Sequence, residues 1–252
     1  MFPLYDDNVR LRWPLGTVLI IALNVFVWFF VQGFGAERAL ARSLCLHGLI
    51  PADLLGLVPA GFQVPLSPRL ACVVDGDGNW FNLLSSMFMH GGWFHIIGNM
   101  WFLWVFGDNV EDVMGTPRYV LFYLLSGLAA AGAQVATDPS STVPMVGASG
   151  AIGGVLGAYA RMYPRAHVHT LIFLGLYVTT IAVPAMFMLG YWFLVQLLSG
   201  TLGDGGPGVA FWAHAGGFAA GLVLSLLLVS PRSLAAHRSA QRRDLQSRYR
   251  WF

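Results

Sequence analysis

With 252 residues, 56% of them hydrophobic and only 10% charged, the chain is far poorer in charge than the quarter or so usual in soluble domains, which argues against a water-soluble globule. A net charge of +2 with no extended acidic or basic domain argues against a nucleic-acid partner and leaves the placement of charge as the informative quantity. All fourteen basic residues are Arg.

Apolar length predicts an all-α polytopic membrane protein with six spans of about 20 residues each, and the lipid bilayer as its first partner. A short segment, 1–14, precedes the first span, 15–33. The run from Leu15 to Val31 is long enough to cross and lacks a small-residue cleavage site, so it reads as a retained span, not a signal peptide. A long connection, 34–82, follows with four prolines, and its stretch from Leu54 to Val64 is apolar enough to lie in the interface. Cys45 and Cys72 both fall in it, as a disulfide pair or as two free thiols. Further spans read as 83–106, 118–137, 146–163, 183–199 and 209–230, so a membrane domain covers 15–230. The segment 165–182 is apolar but short of a span before Pro184 and reads as a loop of interfacial character. Asn24, Gln134 and Gln196 lie within spans, where interhelical hydrogen bonding is expected. Asp108, Glu111 and Asp112 read as a solvated turn and helix cap after the second span. The tail, 231–252, holds six Arg and one Asp and reads as a topology anchor, or alternatively as a contact for anionic lipid.

Arginine placement orients the chain. Both termini and the connections on their side carry eleven Arg, against Arg38, Arg42 and Arg69 on the other, which predicts cytoplasmic termini. Spans four and six then enter from the outer face. Ser149 lies near the start of the fourth and His214 near the start of the sixth, so both fall at a similar shallow depth. Ionisable groups at membrane depth are costly and usually functional. On a helical wheel Gly153 and Gly157 share the face of Ser149, while Gly217 and Gly221 share that of His214. Small residues at four-residue spacing let membrane helices approach closely, so the faces carrying a nucleophile and a base are also those able to touch. His95 and Asn99, four apart in the second span, share a face and could donate hydrogen bonds to a developing oxyanion. An interhelical clamp is the alternative for that pair. His90 lies 140° around from His95 on a regular helix, and Gly91-Gly92 offers a helix start that would leave His90 bracing the outer loop. A three-histidine metal site of His90, His95 and His214 lacks carboxylates within the spans and close ligand spacing.

In this order, Gly147-Ala148-Ser149-Gly150, Ala213-His214-Ala215-Gly216-Gly217, His90…His95…Asn99 and the stretch Phe106 to Asp112 resemble the rhomboid intramembrane serine proteases over about 79–230. The resemblance implies Ser149 as nucleophile and His214 as general base. It further implies an oxyanion hole of His95, Asn99 and the Ser149 N–H, with His90, Gly147 and Gly150 in support. Single-pass membrane proteins would be cleaved near the membrane boundary without a cofactor, here in a bacterial inner membrane. Two positions depart from the family. Phe81-Asn82, with Trp80 before it, stands where many members carry Trp-Arg, and Gly153 stands where some carry a Tyr stacked on the base. Something else, such as the surroundings of Trp212, must then orient His214. The competing readings are an inactive rhomboid-like binder of membrane segments and a small-solute transporter. Retention of both Ser149 and His214 disfavours the first, and the lack of an inverted repeat disfavours the second.

Overall fold

Each predicted apolar run contains a helix: α1 (Leu15–Phe30), α5 (Trp93–Met114), α6 (Thr116–Thr137), α7 (Ser149–Met162), α8 (Ala185–Leu202) and α9 (Phe211–Leu228). The computed structural model describes residues 2–67, 70–76, 78–174, 177–202 and 210–248. Arg69, Arg250 and the glycine-rich connection 203–208 lie outside them. Among the described residues, α6 and α9 are both long and apolar enough to cross a membrane, while α1 and the stretch Ala185–Thr201 of α8 are apolar but shorter.

Helix α7 lies at the centre. It is buried on nearly every side, with Val155, Leu156, Ala158 and Tyr159 fully enclosed, so it never meets the surroundings that the outer helices meet. Those outer helices expose large apolar side chains such as Phe30, Phe94, Phe187, Leu226 and Leu227, a greasy exterior suited to lipid. Close approach to α7 is set by backbone against backbone. A methyl group on Gly153 would lie 2.8 Å from the His214 carbonyl oxygen, and one on Gly157 would overlap that of Phe218. Methyl groups on Gly217 and Gly221 would overlap the carbonyls of Gly150 and Gly154. The seam therefore uses two glycine rows of α7 where the helical wheel marked one. The second row also faces α6, where a methyl on Gly150 would meet Ala130 at 2.7 Å.

The second predicted span does not form one helix. A short helix α4 (Asn82–Ser85) and a 3-10 turn at Ser86–Phe88 end before Gly91-Gly92, and α5 starts beyond them. At its other end α5 stops at Gly115, whose φ of +79° suits a residue without a side chain. The acidic residues near that end are not a solvated turn. Glu111 and Asp112 are 2% and 3% exposed. Glu111 accepts the N–H groups of Gly16 at 2.7 Å and Thr17 at 2.8 Å, plus the hydroxyls of Thr17 at 2.9 Å and Thr116 at 2.6 Å. Helix α1 begins after Pro14, which offers no side-chain cap, so the carboxylate of α5 satisfies its free amides instead. Asn24 donates its side-chain amide to Ile20 O within α1 itself and also meets the Tyr123 hydroxyl of α6.

The all-α expectation needs amending at the edges. The segment read as an interfacial loop is a hairpin of β4 (His167–Leu174) and β5 (Tyr177–Pro184), and β1 (Phe2–Asp6) pairs antiparallel with β4. Apolar runs too short for a span but rich in Val, Ile and Thr satisfy their backbone by pairing. The tail is the helix α10 (Pro231–Arg248), and it docks: Ser233 donates to Val113 O, Arg238 to Met162 O and Gln241 to Asn8 Oδ1.

The connection after α1 is a structured cap of α2 (Glu37–His47), α3 (Pro51–Leu54) and an antiparallel pair β2 (Gln63–Ser67) and β3 (Leu70–Val73). Cys45 and Cys72 are bonded, tying α2 to β3 with 5.2 Å between their Cα atoms. Where the Trp-Arg pair is missing, Asn82 Nδ2 donates to Gly48 O at 3.1 Å and Ser85 Oγ to His47 O at 2.9 Å. Leu49 pairs with Met145, so the cap is hydrogen-bonded directly to the strand-like approach to Ser149.

Candidate active site

Ser149 is the first residue of α7 and His214 stands in the first turn of α9, so the glycine seam that joins these helices also joins these side chains. Ser149 Oγ lies 2.7 Å from His214 Nε2. On the far side of the ring, His214 Nδ1 lies 2.8 Å from Gln196 Oε1, and the Trp192 ring stands 5.9 Å away, tilted by 36°. Both come from α8, four residues apart and hence on one face. These are the groups that flank the ring where Gly153 supplies no aromatic. Trp212 packs instead toward Gly200.

Ser149, His214, His95, Asn99 and Trp192 line one cavity of about 330 Å³, with Phe94, Phe102, Val146 and Ile152 among its apolar walls. The Nδ2 of Asn99 has no acceptor among the described residues although the side chain is only 8% exposed. A buried donor left open toward a cavity is available to a ligand. His95 is set by the turn before α5: the Gly91 N–H donates to its Nδ1 at 3.2 Å. A neutral ring that accepts at Nδ1 carries its proton at Nε2, so His95 also presents a donor. That Nε2 packs on Gly147, where an added Cβ would sit 2.6 Å from it. Gly147 has φ of +125°, so any larger residue would be strained as well as crowded. The Ser149 N–H belongs to the first turn of α7, where helical amides lack intrahelical acceptors and the helix dipole is positive. Asn99, His95 and the Ser149–His214 hydroxyl–imidazole pair thus line one pocket, an arrangement able to move a proton off an oxygen and offer hydrogen bonds to an oxyanion.

His90 is off the helix, as the glycine pair suggested. It is fully buried, its ring lies edge-on 5.2 Å from that of His95, and its backbone is clamped by Gln32. Gln32 Nε2 donates to His90 O at 2.8 Å, and the His90 N–H donates to Gln32 Oε1 at 2.9 Å. The helix break therefore brings together two rings that a regular helix would hold apart. Gln196 was legible only as a polar residue inside an apolar span; its pairing with His214 depends on how α8 lies on α9.

A family model described as the Rhomboid domain matches residues 77–231. The chain is 32% identical over 226 residues to a Bacillus subtilis protein named Rhomboid protease GluP, covering 86% of this chain and 39% of that one. It is 35% identical over 158 residues to RHOMBOID-like protein 4 of Arabidopsis thaliana, 62% of this chain and 36% of that one. A third relative, Putative rhomboid protease YdcA of Bacillus subtilis, is 27% identical over 63% of this chain. The chain thus spans under two fifths of the length of the first two relatives.

Proposed function

The chain belongs to the rhomboid family of helical, polytopic membrane proteins, and from that premise we propose that it is an intramembrane serine endopeptidase. Six helices, α1 and α5 to α9, cross a bacterial inner membrane with both termini cytoplasmic, and single-pass membrane proteins are its substrates. The single observation that carries the reading is the 2.7 Å contact between Ser149 Oγ and His214 Nε2 in the wall of a cavity that the open Asn99 amide also lines.

Ser149 Oγ attacks the scissile carbonyl carbon while His214 Nε2 takes its proton. The resulting oxyanion accepts hydrogen bonds from Asn99 Nδ2, His95 Nε2 and the Ser149 amide. The imidazolium then returns its proton to the leaving amine, and the acyl-enzyme forms as the C–N bond breaks. Water, deprotonated by the same imidazole, hydrolyses the ester and restores Ser149. The low dielectric around the cavity strengthens each of these charge-assisted contacts.

The test is cleavage of a reporter transmembrane substrate by purified protein in lipid, with fluorophosphonate labelling alongside. Ser149→Ala and His214→Ala are each expected to abolish cleavage, and Ser149→Ala to abolish labelling, with losses approaching the roughly millionfold seen for such groups in soluble serine enzymes. Substantial cleavage by either variant refutes the pair. A wild-type protein that neither labels nor cleaves, yet captures membrane segments, would make the chain an inactive binder.

A further inference from the structure

We propose that Gln196 is a positioning residue that fixes the tautomer and the orientation of His214 from α8. The inference rests on the serine–histidine reading above. A neutral imidazole has one N–H and one lone pair, and only the lone pair can accept the hydroxyl proton of Ser149. Nδ1 of His214 faces Gln196 Oε1 at 2.8 Å, and an amide oxygen can only accept. The proton is therefore held at Nδ1 and the lone pair at Nε2, the atom 2.7 Å from Ser149 Oγ. With the amide turned over, its NH₂ would force the proton onto Nε2 and leave His214 unable to act as a base.

Burial supports a dedicated role. Gln196 is 9% exposed on a helix whose neighbouring side chains, Leu194 and Leu198, face outward at 51% and 47%. A buried amide is costly unless hydrogen-bonded, and this one spends its oxygen on the base. Trp192, one turn earlier on the same face of α8, flanks the same ring. Two contacts from one helix thus restrain both the tilt and the protonation of an imidazole that has no carboxylate partner among the described residues.

Cleavage kinetics of the full-length protein in lipid decide it, using Gln196→Leu, which removes the acceptor at similar bulk, and Gln196→Glu, which keeps an acceptor oxygen. Gln196→Leu should lower kcat on the order of a hundredfold, below the roughly 10⁴-fold cost of mispairing a triad histidine, with KM within about twofold. Gln196→Glu should recover most of that loss. Gln196→Met, whose thioether is only a weak acceptor, replaces Leu if folded yield drops. Nitrogen-15 shifts of His214, which need no turnover, should show Nδ1 protonated in the wild type and Gln196→Glu and a tautomer mixture in Gln196→Leu. If Ser149→Ala and His214→Ala are inactive while Gln196→Leu keeps wild-type kcat and the same His214 shifts, the Gln196 role is overturned and the dyad stands. Active Ser149→Ala would instead remove the dyad. A wild-type His214 protonated at Nε2 overturns the Gln196 role directly.

Discussion

The amide of Asn99 is the sharpest single-residue test of the oxyanion site. Its nitrogen has no acceptor among the described residues, yet it lines the cavity beside Ser149. Asn99→Ala is expected to lower kcat on the order of a hundredfold, the scale of one oxyanion donor, with little change in melting temperature, because no protein hydrogen bond of that nitrogen is lost. An unchanged kcat would make Asn99 a packing residue. Gly147 fails for a different reason: its φ of +125° and the nearby His95 ring leave no room for a Cβ. Both effects come from atoms that are absent or unpaired: the sequence pointed to Asn99 and Gly147 beside Ser149 and His214, but the open amide and the missing room are visible only in three dimensions.

At the scale of helices, the seam between α7 and α9 decides whether the two reactive groups meet. A side chain at Gly157 would collide with backbone at Phe218, which cannot step aside as a flexible side chain would. Gly157→Leu should therefore lower activity steeply, since a hydroxyl–imidazole hydrogen bond is lost beyond about 3.5 Å. Gly132→Leu on α6 is the matched control, because nothing lies within 4 Å of a Cβ there. Equal loss of cleavage in both variants at equal folded yield would mean that this seam does not position the dyad. A second element-scale device is Glu111, which takes two amides and two hydroxyls where α1 meets α5 and α6. Glu111→Ala leaves buried donors unmet and should cost about 3 kcal/mol or more of stability, read as a fall in melting temperature.

Across the whole molecule, the two ends of the bundle are tied differently. The face near Ser149 carries the cap held by Cys45–Cys72, which closes a loop with a sequence separation of 27. In the chain-entropy account such a loop contributes about 3–4 kcal/mol, so Cys72→Ser should lower the melting temperature while leaving the Ser149–His214 pair intact. At the opposite end, β1 is bound through Asp6, which accepts hydrogen bonds from Asn8 Nδ2, Asn109 Nδ2 and the Tyr159 hydroxyl. Asp108, itself bridged by Asn109 and paired with Arg10, lies beside it. Burial raises the Asp6 carboxyl to about 6 against the opposing pull of these hydrogen bonds. Because the folded state holds that proton more tightly, the contribution is fully present below about pH 4 and is lost as pH rises through about 6, at most about 3 kcal/mol. Asp6→Asn should flatten the fall in melting temperature across that window; an unchanged slope would place the titration elsewhere.

Six apolar runs and the order of the Gly-x-Ser-Gly and Ala-His-x-x-Gly motifs follow from the sequence alone. Hydrophobic length and helical period are local properties, carried by consecutive residues whatever surrounds them. Tertiary structure alone decided that Gln196 and Trp192 hold His214, that the Gly91-Gly92 break sets His90 against His95, and that Glu111 caps α1. It likewise turned the 165–182 stretch into a hairpin completed by β1 and joined Cys45 to Cys72. Each of these depends on which distant partner satisfies a buried polar group or an unpaired strand edge. Chains meet that requirement in three dimensions, and spacing along the sequence does not record the partner.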